Sequence, residues 1–153
     1  MLGSLKATDP DVLSPLTFDK YPLILNTGGR FIPQHHSEFR HWGTGMRERH
    51  PDPLADINTE DARELGIEEG DWIYIETRRG RIRQKVRVSD KIPRGMVNAE
   101  ASWWFPEMPE AEPSLHGLWE SNVNVLTLDE PDCCDPLTGA WQTRALLCKV
   151  YKA

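Results

Sequence analysis

The chain has 153 residues, enough for one core, and at this size roughly 70% of the unfolded surface can be buried. Eighteen Lys and Arg against 24 Asp and Glu leave a net charge of −6, which argues against a general nucleic-acid or anionic-membrane binder. No run approaches the ~18 consecutive apolar residues of a membrane span, so no direct membrane insertion is expected.

Eleven Gly and 12 Pro point to many turns and short elements, not a helical bundle. Six Trp call for either a core or a flat ligand. The three cysteines, Cys133, Cys134 and Cys148, form no C-x-x-C pair, so neither a zinc ribbon nor a locally ligated iron–sulfur cluster is expected. They read as reduced thiols, which favours a cytoplasmic setting. No basic-then-apolar leader is visible; an export signal would lie further upstream.

Residues 1–20 show no periodic pattern and read as a linker or extended arm. The folded unit is placed at 21–153. Tyr21 to Asn26 is an apolar run of strand length, stopped by Thr27-Gly28-Gly29. A polar, His-rich stretch follows to about Pro53. Ala55-Asp56-Ile57 is a short strand. Asn58-Thr59 then caps a two-turn helix, with Glu60 and Asp61 in its first turn, Ala62 and Leu65 facing inward and Gly66 stopping it.

Trp72 to Thr77 and Arg81 to Ser89 form a hairpin around Arg78-Arg79-Gly80. On its return strand Ile82, Gln84, Val86 and Val88 share one face and Arg81, Arg83, Lys85 and Arg87 the other. A solvated outer face accounts for that basic row. Met96 to Ala99 opens another strand. Trp104 to His116 is loop, because Pro106, Pro109 and Pro113 exclude regular structure. Asn122 to Leu128 is expected as a strand and Arg144 to Tyr151 as the closing strand. The sum is six or seven strands with one or two short helices, a mainly β barrel or sandwich with long loops.

Four motifs carry chemistry. Thr27-Gly28-Gly29-Arg30 follows a strand, so glycine amides and a guanidinium can meet an anion, the glycines also permitting positive φ. The alternative is a plain Gly-Gly turn. His35, His36 and Ser37 come next, and with His41 and His50 they put four of five His within sixteen positions. Their spacing is poor for a metal, so no metal ligand is assigned; a ligand-binding loop or surface histidines remain. Asn122 and Asn124, on one side of the expected strand, could read the edge of a heterocycle. Gln142 and Arg144 could complete such a pocket. No nucleophile–base–orienter set is present, so no catalytic residue is assigned.

The order of these pieces resembles one family. YPLILNTGGR, HHS, PLADINTEDARELGIEEGDWIYIETRRGRIRQKVRVSDKIPRGMV, SNVNVLT and RALLCKVYK look like the molybdopterin-dinucleotide-binding C-terminal domain of the dimethyl-sulfoxide-reductase superfamily, which includes formate dehydrogenases and nitrate reductases. The resemblance covers about residues 21–152. It implies a double-psi β-barrel, with bis(molybdopterin guanine dinucleotide), carrying Mo or W, as the cofactor. Thr27, Gly28, Gly29, Arg30, His35, His36 and Ser37 would then sit against that cofactor. Asn124 would contact its pterin or dithiolene end, with Asn122 nearby, and Gln142 and Arg144 would stand before the last strand. The resemblance also implies upstream catalytic domains or a subunit of the same oxidoreductase as partner, and an isolated chain that does not turn over substrate. The competing class is a non-enzymatic double-psi-barrel recognition module.

Overall fold

The computed structural model describes residues 15–29 and 45–153. Six strands close into a barrel: β1 (Leu23–Gly29), β2 (Leu54–Ile57), β3 (Trp72–Glu76), β4 (Arg81–Val88), β5 (Met96–Glu100) and β6 (Arg144–Lys152). Round the barrel they run β1-β5-β2-β4-β3-β6. Alternation builds the core. Leu25, Ala55, Ile57, Ile73, Ile75, Ile82, Val86, Val97, Ala99, Leu146, Cys148 and Val150 all point inward and are buried. Each large aliphatic side chain in that set is worth about 1.5–3 kcal/mol of transfer free energy.

β1 lies parallel to β5, and β4 parallel to β2; all other neighbours are antiparallel. Exchanging β1, β2, β3 with β4, β5, β6 reproduces every one of these pairings, so the two halves are related by a pseudo-twofold. The first strand of each half lies parallel to the second strand of the other. This interlocking is a double-psi β-barrel, the fold the family resemblance implied. Among the described residues no helix is long and apolar enough to cross a membrane.

Local chemistry explains most boundaries. In α3 (Thr59–Glu64), which follows the single turn α2 (Met46–Arg49) and strand β2, the Asn58 side chain accepts from the Glu60 N–H at 2.9 Å and donates to the Ile92 carbonyl at 2.7 Å. Gly66, at φ +67°, turns the chain out of that helix. The outer row of the hairpin is paired with carboxylates more than solvated. Arg83 meets Glu120 at 2.5 Å, Lys85 meets Asp52 at 2.9 Å and Arg87 meets Asp56 at 2.5 Å, while Arg81 lies over the Tyr74 ring. The long excursion after β5 buries Trp103 and Phe105 edge to face.

Three boundaries differ from expectation. Within the stretch read as an arm, Pro15–Lys20 form a short helix, α1, opened by a proline, and Tyr21 N donates to Thr17 O just past its end. β1 runs on through Thr27, Gly28 and Gly29 instead of stopping there. Asn122 to Leu128 is not a strand. It is a 3₁₀ turn, Val123–Leu126, preceded by the single helical turn α4 (Leu118–Ser121). The cause is Asn122, whose side-chain oxygen accepts from the Asn124 N–H at 3.0 Å. That cap ties the backbone locally and gives it an alternative to a ladder.

Candidate functional site

The pairing pattern places the ends of β1, β3 and β5 and the starts of β2, β4 and β6 on one rim of the barrel. Both long connections, 30–53 and 101–143, leave from that rim, and so does the Arg78–Gly80 turn. The opposite rim carries only the shorter β2–β3 and β4–β5 connections. Scaffold-borne loops gathered on one end are where binding residues are expected.

At this rim both ladders of β1 are irregular. The β1–β5 register slips between Thr27 and Gly29, and the β1–β6 register slips between Leu25 and Asn26. Bulges of this kind re-aim side chains. Opposite β1, Ala145 takes φ 57°, a left-handed conformation unusual for alanine. The Thr27 side chain turns inward, and its hydroxyl donates to the Thr143 carbonyl. Gln142 Nε2 donates to Arg144 O at 2.8 Å and Ala145 O at 3.2 Å, so this amide holds the strained backbone. Arg144 is left exposed, its guanidinium beside Gly28.

The two glycines serve different ends, and neither needs a positive φ, contrary to the permissive role read from the sequence. A Cβ on Gly29 would sit 3.0 Å from Ala99 O and 3.2 Å from Asn98 Nδ2, so this glycine is required by the fold. A Cβ on Gly28 would meet only Arg144 Nε and Nη2, at 3.8 Å. Nothing in the described chain needs that space. A bare strand surface beside a free-standing guanidinium is a suitable floor for an anionic group that approaches closely.

Asn122 and Asn124 stand on the same rim, across the β3–β4 turn. Val125 packs on Gly80, and Thr77 Oγ1 donates to Leu126 O at 2.9 Å. Leu126 and Leu128 share a small cavity with Gln142 and Ala145. Asn124 is exposed, whereas the Asn122 oxygen is spent on its cap. Thr27, Gly28, Gly29, Gln142 and Arg144 therefore come together, while Asn122 and Asn124 share the rim with them and not a hydrogen bond. Arg30, His35, His36, Ser37 and His41 lie outside the described residues.

His50 is described, and it is buried with its Nε2 2.7 Å from Glu100 Oε2. Glu100 also accepts from Leu54 N at 3.0 Å. Behind it the fully buried Gln84 donates to Glu100 O and Ser121 O and accepts from Glu100 N. This network fixes the rim from beneath. Among the described residues no group of three or more His, Cys, Asp or Glu is placed to hold a metal.

The sequence reading passed over Asn26 and Asn98. The signal was available: asparagine is depleted in strands. That rule was applied to Asn122 and Asn124, which are not on a strand; Asn26 and Asn98 are.

Comparison with known proteins identifies a family and relatives of the chain. A family model described as "Molydopterin dinucleotide binding domain" matches residues 23–144. Dopamine dehydroxylase from Eggerthella lenta is 39% identical over 136 residues, covering 88% of this chain and 13% of that protein. Acetylene hydratase from Syntrophotalea acetylenica is 29% identical over 144 residues, covering 93% of this chain and 20% of that protein. The solved structure of acetylene hydratase from Pelobacter acetylenicus superposes with a TM-score of 0.86 at 28% identity, covering 94% of this chain and 20% of that one. The chain thus spans between about an eighth and a fifth of the length of these relatives.

Proposed function

Since this chain belongs to the molybdopterin dinucleotide-binding domain family of Mo- and W-dependent oxidoreductases, we propose that its long-loop rim holds bis(molybdopterin guanine dinucleotide) as the C-terminal domain of such an enzyme, and that the chain alone does not turn over substrate. The observation that carries the reading is Gly28: a strand surface flanked by the Arg144 guanidinium and, among the described residues, covered by nothing else.

The donor set fits the cofactor. Its pyrophosphate takes charge-assisted hydrogen bonds from a guanidinium, the role of Arg144, with Arg30 as its counterpart from the sequence. Its pterin presents amide-like edges, the role of the exposed Asn124 amide, with Asn122 fixing that backbone and Gln142 fixing Arg144. When bound, the cofactor supplies the metal centre at which electrons or an oxygen atom are exchanged. The protein's part is to bind, orient and shield it. Relatives named for a dehydroxylation and a hydration share this domain. What they share is therefore the holding of the cofactor, and the substrate is set in the remaining four-fifths or more of each protein, the partner this rim closes against.

Titration of the purified chain with molybdopterin guanine dinucleotide tests the reading. Arg144→Ala and Asn124→Ala should each weaken binding by about tenfold or more with the melting temperature unchanged. A wild-type chain that does not bind, or variants that bind equally well, would overturn it in favour of a recognition module.

A further inference from the structure

Five outward side chains stand in one register row across five adjacent strands: Arg144, Asn26, Asn98, Asp56 and Arg87. The row begins at the residue beside Gly28 and runs under Gly29, whose missing side chain leaves room for the Asn98 amide. Its members are linked in an ordered way. Arg87 Nε donates to Asp56 Oδ1 at 2.5 Å, and Asn98 Nδ2 donates to Asp56 Oδ2 at 3.1 Å. On the other side Ala145 N donates to Asn26 Oδ1 at 3.4 Å.

These contacts decide which way each amide points. A carboxylate only accepts, so the Asn98 nitrogen must face Asp56 and its oxygen faces away. A backbone N–H only donates, so the Asn26 oxygen must face Ala145 and its nitrogen faces away. Among the described residues neither Asn26 Nδ2 nor Asn98 Oδ1 has a hydrogen-bond partner. Both side chains are half-buried and stand opposite each other on neighbouring strands, whose spacing is about 4.8 Å. The result is one oriented donor beside one oriented acceptor, next to a guanidinium.

We propose that Asn26 and Asn98 form a recognition edge for a lactam, the adjacent ring N–H and C=O found in guanine and in pterin. The donor of Asn26 takes the ring carbonyl and the acceptor of Asn98 takes the ring N–H. Asp56 and Arg87 keep the Asn98 amide from flipping. The edge rests on the cofactor-binding reading above and adds to it two residues that set specificity for the heterocycle.

The test uses the 153-residue chain and molybdopterin guanine dinucleotide, followed by isothermal titration, with melting temperature as the fold control. Asn26→Ala and Asn98→Ala should each weaken binding about fivefold, and the double variant about twentyfold or more. Asn26→Asp keeps the oxygen that Ala145 needs but removes the donor, so it should lose at least as much as Asn26→Ala while melting like wild type. Competition separates the two sources of a lactam: guanosine monophosphate displaces the cofactor if the edge reads guanine, neopterin if it reads pterin. Adenosine monophosphate, which has no lactam, should displace it poorly. Wild-type affinity in the double variant, or displacement by adenosine monophosphate as readily as by either lactam, overturns the edge while leaving cofactor binding intact. Failure of the wild-type chain to bind at all removes the underlying reading and the edge with it.

Discussion

Replacing Gly28 and Gly29 by alanine, one at a time, separates what the fold requires from what a ligand requires. On Gly29 the new methyl lies 3.0 Å from Ala99 O and 3.2 Å from Ala99 C, both backbone atoms of the neighbouring strand. A ladder partner cannot swing aside as a side chain can, so overpacking should cost about 1–3 kcal/mol. The reduced freedom of the unfolded chain returns about 0.4–1 kcal/mol. The net of about 0.6–2 kcal/mol, at about 2–4 °C per kcal/mol for a domain of this size, should make Gly29→Ala melt roughly 1–8 °C below wild type. On Gly28 the methyl meets, among the described residues, only the flexible Arg144 side chain at 3.8 Å, an ordinary contact. Gly28→Ala should melt within about 2 °C of wild type, or slightly above it. The same methyl covers the strand surface proposed to face the cofactor, so this variant should be the one that loses binding. Thermal unfolding by circular dichroism and titration with the cofactor read the two effects separately. A Gly28→Ala chain that melts as low as Gly29→Ala, or a neutral Gly29→Ala, would refute the assignment.

Other perturbations test the scaffold. Gln84→Leu strips hydrogen-bond partners from Glu100 N, Glu100 O and Ser121 O inside the barrel, and should cost about 2–4 kcal/mol, seen as a lower urea midpoint at unchanged slope. The Tyr151 hydroxyl and, next, the Lys149 ammonium hold the Glu76 carboxyl below the usual carboxylate range. Because that folded-state value is lowered, its stabilising effect is complete at neutral pH and is lost as pH falls through the lowered value. The stability gap between wild type and Glu76→Gln should therefore be widest near pH 7 and close as urea unfolding is repeated from about pH 5 down to 2. Burial pushes the Cys148 thiol up to about 12, so iodoacetamide at about pH 8 should modify Cys134 in the native chain and reach Cys148 only when urea opens the barrel, as peptide mass spectrometry would show.

The parts legible in sequence were those where one local rule acts alone. The β3–β4 hairpin shows strict alternation, and α3 has its cap, acidic first turn and glycine stop in sequence order. Arg144 and the two glycines were singled out by their type and order, and the structure places Arg144 beside Gly28. What failed was arbitration between rules. Val123 and Val125 alternate with Asn122 and Asn124, but a side-chain cap competes with a ladder for the same backbone groups, and the cap prevailed. Gly28 and Gly29 looked like a stop because glycine ends many strands; here the neighbouring strand presses so close to Gly29 that any side chain would have to push its backbone aside. The row through Asn26 and Asn98 depends on strands some 70 residues apart being parallel neighbours, and no local pattern encodes that.

That same placement governs how the chain acquires its barrel. β1 has two ladder partners, β5 and β6, and both come from the far part of the chain. The β3–β4 hairpin can form as soon as it is made, and β2 can join it, but β1 must wait for more than a hundred residues to be synthesised before it has a neighbour on each side. Long-range pairing of this kind is slow, and an unsatisfied strand edge is a hazard while it lasts. The strand bearing Thr27, Gly28 and Gly29 is thus the first of the six barrel strands to be made and the last to be enclosed, and the rim exists as a binding surface only once β6 has locked against it.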